Sequence, residues 1–290
     1  MNRKLIVTHH APDLDAIGAA WLLKTFDRQH YADAKFAFVN PGDRIEADEI
    51  KKLQLKSQDV THVDTGLGKF DHHQPKRGHD HSSASSLVYE YLCRLHPDLE
   101  QDHALDILVE FITETDHFEE IYWPEASHYR YDMMLHQIIR GLEFVELHDD
   151  DSQLHFGFTC LNGTYATLKQ HVKAKEILAD KAEYFPIKLG ECMAVESRND
   201  DTLKVAQKNG AIIAIRKDSS GGHIRIKARP DADLDLKDLA DEIKEVDQVG
   251  TWYYHPSGKM LLNGSRKHRD QRASSLSLRQ VIKLTQKVYE

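Results

Sequence analysis

A chain of 290 residues, 40% hydrophobic and 29% charged, has ordinary globular composition and room for two medium cores, so two domains are the default. Lys+Arg 38 against Asp+Glu 47 leaves a net charge of -9, which disfavours long phosphate polymers and leaves short or locally held anions as partners. Cys93, Cys160 and Cys192 lack CxxC spacing, no secretory signal precedes them, and no apolar run approaches the roughly 18 residues of a membrane span. A soluble protein of a reducing cytoplasm is expected.

In chain order, Lys4-Leu5-Ile6-Val7 reads as a buried strand ending at Thr8-His9. Helical spacing runs from Ala16 to Phe26, with Pro12 and Asp13 as turn and cap. A strand at Lys35 to Val39, a helix through Ile45, Ile50, Leu53 and Leu55, and a strand at Val60 to Val63 continue an alternation that predicts a mostly parallel sheet flanked by helices. Helices are expected at Ser83 to Leu95, Ala104 to Thr115, Met133 to Leu147 and Thr167 to Tyr184. Pro186 closes this stretch and places a domain boundary near residue 185. Residues 186–290 read as a smaller α/β domain with a mixed sheet: strands at Glu191 to Glu196, Ala211 to Arg216 and His223 to Ala228, helices near Thr202 to Lys208 and Leu236 to Val246, and a strand pair around Gly258.

Four short segments carry the chemistry. His9-His10-Ala11-Pro12-Asp13-Leu14-Asp15 lies between a strand and a helix, where open α/β sheets bind ligands. Two carboxylates and an imidazole so close together call for a cation, although an Asp-rich cap beside a surface histidine reads equally well. Asp64 ends an apolar strand, a common place for Asp in turns. Phe70-Asp71-His72-His73-Gln74 packs an acid with two histidines, which chance also allows in a chain with 19 of them. Asp116 ends a helix, where the dipole disfavours an acid unless a positive charge balances it.

The order and spacing of these segments resemble the DHH phosphoesterase superfamily, which includes RecJ-type exonucleases, oligonucleotide and cyclic-dinucleotide phosphodiesterases and family II pyrophosphatases. His9, Pro12, Asp13, Asp15, Ala16, Ile17, Gly18 and Ala20 match its first motif, Asp71-His72-His73 its naming motif, and Ser82 to Glu90 the Ser-rich helix start that follows. The resemblance is strong to about residue 120 and implies a catalytic domain over 1–185, a substrate-binding DHH-associated-like domain over 186–290, and a site in the cleft between them. It further implies two divalent ions, one on His9 and Asp13, the other on Asp15, His72 and Asp116, with Asp64 bridging. The His and carboxylate donors favour Mn²⁺, with Mg²⁺, Co²⁺ or Fe²⁺ as substitutes. His73 would donate to a phosphoryl oxygen and Asp71 would orient the histidine loop. Relief of repulsion among the acids predicts that Asp64→Asn abolishes turnover while the metal-free variant melts at an equal or higher temperature.

For the second domain the resemblance favours Arg229 and His255, with Arg225 and Lys259 nearby, as substrate contacts. The family's usual triple glycine is missing, and Gly221-Gly222-His223 is as well read as a hairpin turn. Trp252, Tyr253 and Tyr254 offer base stacking or core packing, and Ser265-Arg266-Lys267 resembles a stretch of family II pyrophosphatases while also fitting a solvated charge run. Asp149-Asp150-Asp151 reads as a solvated loop. The leading function is hydrolysis of phosphodiester bonds in short oligonucleotides or small nucleotides, by a protein with no membrane partner and compatible with a homodimer. Pyrophosphate or cyclic-dinucleotide hydrolysis is the alternative. A non-catalytic binding protein is disfavoured by acids at every expected ligand position.

Overall fold

In the computed structural model, which describes residues 4–75, 77, 80–145, 149–264 and 270–290, the run Leu5-Ile6-Val7 forms the middle of β1 (Leu5–His9). This strand lies between β2 (Lys35–Val39) and β3 (Val60–His62) in a three-stranded parallel sheet of order β2-β1-β3. Its alternation serves two cores. Ile6 faces a large cluster with Ile17, Leu22, Leu92 and Leu108, while Leu5 and Val7 pack with Ile45 and Ile50.

Helix α1 (Leu14–Phe26) is buried on nearly every side, as its apolar composition all round requires, and packs on α4 (Ala84–Leu95) and α5 (His103–Asp116). Gly18 makes the first packing possible, since a Cβ there would lie 2.5 Å from Ser85 Oγ and 2.9 Å from Ile112 Cδ1. A single turn, α2 (Arg28–Tyr31), follows α1. Helix α3 (Ala47–Lys52) is shorter than its apolar spacing suggests, because Gln54 adopts a left-handed backbone with φ 58. The helix expected over Met133 to Leu147 is α6 (Leu135–Gly141), followed by a 3₁₀ turn at Leu142–Phe144; Leu147 lies outside the described residues.

Helix α7 (Asp150–Lys181) begins far earlier than the sequence pattern implies. Its first half packs through Leu154, Leu161 and Gly157, where a Cβ would lie 2.7 Å from Ile17 Cγ2, so much of the contact is made by a residue with no apolar side chain to count. Pro186, expected to close the helical stretch, instead lies within β4 (Glu183–Ile187), the edge strand of a second sheet where a missing N–H is tolerated.

The chain divides into two units, Met1–Leu168 and Lys169–Glu290. The second holds a six-stranded mixed sheet of order β4-β5-β6-β7-β9-β8, with β5 (Gly190–Glu196), β6 (Ile213–Lys217), β7 (Ile224–Ala228), β8 (Tyr253–Tyr254) and β9 (Met260–Leu262). Only β5 and β6 pair in parallel, across α8 (Asp201–Lys208). One face is covered by α9 (Lys237–Val246) and by α10 (Leu278–Val288), a helix with no counterpart in the sequence reading, which buries Val281 and Ile282. Among the described residues no helix is long and apolar enough to cross a membrane.

Gly18→Ala gains about 1 kcal/mol of helix propensity but forces a methyl onto Ser85 and Ile112. Overpacking of about 1–3 kcal/mol should dominate, so the variant is expected to unfold at lower denaturant than the parent in equilibrium urea unfolding, and an equal or higher midpoint would contradict the packing described.

Candidate metal centre

The loop after β1 brings its polar groups together by local hydrogen bonding. Asp13 is the N-cap of α1, its Oδ1 accepting from the N–H groups of Asp15 and Ala16, both at 3.0 Å. Asp15 turns inward. Its Oδ2 accepts from Ala84 N–H at 2.6 Å and its Oδ1 from Ser85 N–H at 2.8 Å, so the first turn of α4 holds the carboxylate. Ala11 takes a left-handed φ of 49, and Asp150 at the start of α7 accepts from its N–H at 2.7 Å and from His10 Nδ1–H at 2.6 Å. The acidic run at 149–151 is therefore no solvated loop. Asp149 caps α7 by accepting from Ser152 N–H, and Asp150 fixes the loop that carries His9 and Asp13.

Asp64 follows β3 in a left-handed conformation with φ 54, a strain common at functional positions and best tolerated by Asp and Asn. Its N–H donates to Phe70 C=O at 2.9 Å, closing the loop onto the histidine segment. Asp71 is fully buried and accepts from Leu67 N–H at 2.6 Å, His73 N–H at 3.0 Å and His73 Nδ1–H at 3.0 Å. These bonds set the direction of His73.

All six expected ligand residues converge here. His9 Nε2 lies 3.2 Å from Asp64 Oδ2, while His72 Nε2 lies 3.4 Å from Asp64 Oδ1, 3.4 Å from Asp116 Oδ2 and 4.0 Å from Asp15 Oδ2. Three clusters of ligand atoms result, each within 4.8 Å: His9 with Asp13 and Asp64, Asp64 with His72 and His73, and His72 with Asp116 and His117. Asp64 and His72 are each shared by two clusters. Asp15 belongs to none, its oxygens being engaged by α4. His117 was not singled out in the sequence; its position directly after Asp116 is the only signal there.

Charge crowding shifts the protonation of nearly every member. At His9 burial opposes the charged ring, but the bond to Asp64 and the charges of Asp13 and Asp64 outweigh it and raise its pKa to about 9. His72 reaches about 9 in the same way, against burial, through Asp64, Asp116 and Asp15. Burial, then the charges of Asp15 and Asp64, push Asp116 up to about 9, and burial with Asp64 and Asp13 brings Asp15 to about 7. Asp13, the most exposed of the six, is also raised, by the surrounding protein and by Asp64. Asp64 alone moves down, because His72 and His9 beside it overcome burial.

The donor set fits divalent cations. Asp64 Oδ1, His72 Nε2 and Asp116 Oδ2 are buried and lack a hydrogen-bond partner although they face one another, a costly arrangement that a cation would satisfy. His9 Nδ1–H donates to His10 C=O at 2.8 Å, which fixes the tautomer and aims Nε2 at the cluster. Mixed imidazole and carboxylate donors without thiolate differ from the ligand set of a structural zinc site.

The candidate substrate residues of the second unit have partners of their own. Arg229 makes a two-pronged pair with Asp231 at 2.7 and 2.6 Å, and Lys259 Nζ donates to the carbonyls of Ala232 and Leu234, both at 2.6 Å. Arg225 pairs with Asp200, alongside the buried Arg216. His255 Nδ1 lies 2.8 Å from Ser257 Oγ. Gly221-Gly222 turns the β6–β7 hairpin, with Asp218 accepting from Ser220 and Gly221 N–H. Trp252 and Tyr254 pack against the second core and bond Asp247 and Asp235, while Tyr253 is exposed. Ser265-Arg266-Lys267 lies outside the described residues.

No family model and no curated protein matches the chain. Among solved structures it is similar to a DHH domain described as a member of the s1p family of ribosomal proteins, at 14% identity and a TM-score of 0.33, over 99% of this chain and 87% of that one.

Metal-free protein should lose stability as pH rises from about 7 to 9. His9 and His72 fold with pKa values near 9 against 6.5 in the unfolded chain, and Asp116 near 9 against 3.8, so the native state binds more protons throughout this window. The stabilisation by the imidazoles is complete below 6.5 and lost through 9, while ionising Asp116 adds repulsion. The downward shift of Asp64 acts only at acidic pH. Calorimetry of chelator-treated protein should show the melting temperature falling by several degrees, at about 2–4 °C per kcal/mol, with Mn²⁺ flattening the profile. A flat or rising profile without metal would contradict the charge assignment.

Proposed function

We propose that the chain is a divalent-metal-dependent phosphoesterase of the DHH type that hydrolyses phosphodiester bonds in short oligonucleotides or small nucleotides. The observation that carries this reading is the convergence of His9, Asp13, Asp64, His72 and Asp116 around three buried atoms with no hydrogen-bond partner. Residues 1–185 would form the catalytic domain and 186–290 a DHH-associated-like domain holding the far end of the substrate. His9 and Asp13 would hold one ion, His72 and Asp116 the other with Asp15 at its edge, and Asp64 would lie between them. Bound there, manganese or a similar ion supplies positive charge against the anion that develops at phosphorus and lowers the pKa of water.

The protein's own groups set the rest. Asp13, tied to the first turn of α1, and Asp15, tied to the first turn of α4, have carboxylates held against rotation by these bonds. Asp71 accepts from His73 Nδ1–H, which leaves Nε2 of this exposed ring outside that bond. That nitrogen is the group we assign to a phosphoryl oxygen, as donor when protonated. The net charge of -9 supports short substrates over long polymers. Arg229, Lys259, Arg225 and His255 are assigned to the far end of the substrate, where binding would require Arg229 and Arg225 to exchange Asp231 and Asp200 for a phosphate. A cytoplasmic location and a homodimer complete the proposal.

Asp64→Asn separates this function from the fold. With saturating Mn²⁺, hydrolysis of a dinucleotide should fall about a hundredfold or more. Asp64 is the anion between two charged imidazoles, so the metal-free variant should lose about 1–3 kcal/mol of stability and melt lower, rather than equal or higher as repulsion among the acids alone suggests. Wild-type turnover in this variant would overturn the proposal, and an unchanged melting temperature would overturn the charge pairing.

A further inference from the structure

Behind the strand that leads into Asp64 lies a second concavity of about 250 Å³, which the candidate metal centre does not use. Its walls are aromatic: Tyr31, Phe70 and Tyr91, with Thr61 of β3 between them. Arg44 and Lys69 stand over it, both exposed. Among the described residues no carboxylate lines it.

The cations are the unusual feature. In a chain with nine more acids than bases, neither Arg44 nor Lys69 has an ion-pair partner among the described residues. Lys69 Nζ instead sits 3.6 Å from the centre of the Tyr91 ring and 4.6 Å from that of Phe70, and burial together with the Arg94 guanidinium holds its pKa below the ordinary ammonium range. Arg44 spends one nitrogen on Gly66 C=O at 2.7 Å. Two acids lie close by and both are buried and committed: Asp27 accepts from His30 Nδ1–H and Tyr91 O–H, and Asp71, whose charge reaches His62 of the same wall, accepts from Leu67 N–H and His73. Two cations without counter-charge above an aromatic floor are the complement of an anion.

We propose that this concavity binds a phosphate group, carried either as inorganic phosphate or on a small phosphate monoester, with Lys69 and Arg44 as its charged contacts. Thr61 Oγ1, 2.9 Å from Tyr31 Oη, offers a hydroxyl beside them. The volume exceeds what a bare phosphate fills and leaves room for a small body against Tyr91. Such a ligand would touch Gly68, Lys69 and Phe70, the segment whose Phe70 carbonyl accepts Asp64 N–H, so occupancy would bear on the loop that positions Asp64. Binding here does not depend on the hydrolytic reading of the metal centre.

The test is titration of inorganic phosphate, and separately of a 5′-mononucleotide, into the metal-stripped full-length chain, by calorimetry and by the amide resonances of Gly68 and Thr61. Saturable binding that moves both amides, weakens with salt and falls about tenfold in Lys69→Met is expected. Lys69→Gln serves equally if the first variant does not fold. Equal affinity for the two ligands would assign recognition to the phosphate alone; tighter mononucleotide binding that Tyr91→Leu reduces to the phosphate level would add the nucleoside. Undisturbed Gly68 and Thr61 amides, shifts at His72 in their place, or unchanged affinity in the Lys69 variants would overturn the proposal.

Discussion

Everything in the first unit answers to one electrostatic conflict, the placing of Asp13, Asp15, Asp64 and Asp116 within reach of a few imidazole nitrogens. Without a cation the conflict is met by protons: His9, His72 and Asp116 hold theirs up to about 9, and only Asp64 stays firmly ionised. Protons satisfy the charges incompletely, since Asp64 Oδ1, His72 Nε2 and Asp116 Oδ2 still lack hydrogen-bond partners. This arrangement suits an exchange of those protons for divalent ions.

Keeping such groups together demands a rigid surround, and the structure supplies it with helix starts and strained loops. The first turn of α1 caps on Asp13, the first turn of α4 takes Asp15, and Asp150 at the head of α7 holds the Ala11 amide. Ala11, Asp64 and Leu67 all carry positive φ in the loops that deliver ligands. Each costs on the order of 1 kcal/mol or more and persists because side chains such as Asp71 and Asp150 anchor the backbone around it.

Much of this was legible in the sequence because it is local. The strand from Leu5 to His9, the cap at Asp13, the strand before Asp64 and the helix ending at Asp116 are each announced by a few adjacent residues, and the resemblance of their order to one superfamily linked them. The unread parts depend on residues distant in sequence. Gly157 looks like a helix weakener until Ile17 is seen against it, and Asp150 looks solvated until Ala11 and His10 are placed beside it. Pro186 reads as a terminator, yet an edge strand accommodates it. Asp15 illustrates the opposite limit: a motif names it, but only the structure reveals that two backbone amides of α4 hold its oxygens in place. The Arg44 and Lys69 concavity left no trace in any motif, because its members come from five separate segments.

In the proposed metal centre, protons hold the places that a divalent ion would take. Titration of Mn²⁺ into chelator-stripped protein at about pH 8, in two buffers of different ionisation enthalpy, counts the protons displaced. A net release of more than about one proton per chain is expected, drawn from His9, His72 and Asp116. Binding of Mn²⁺ without proton release, or no binding at all, would contradict it.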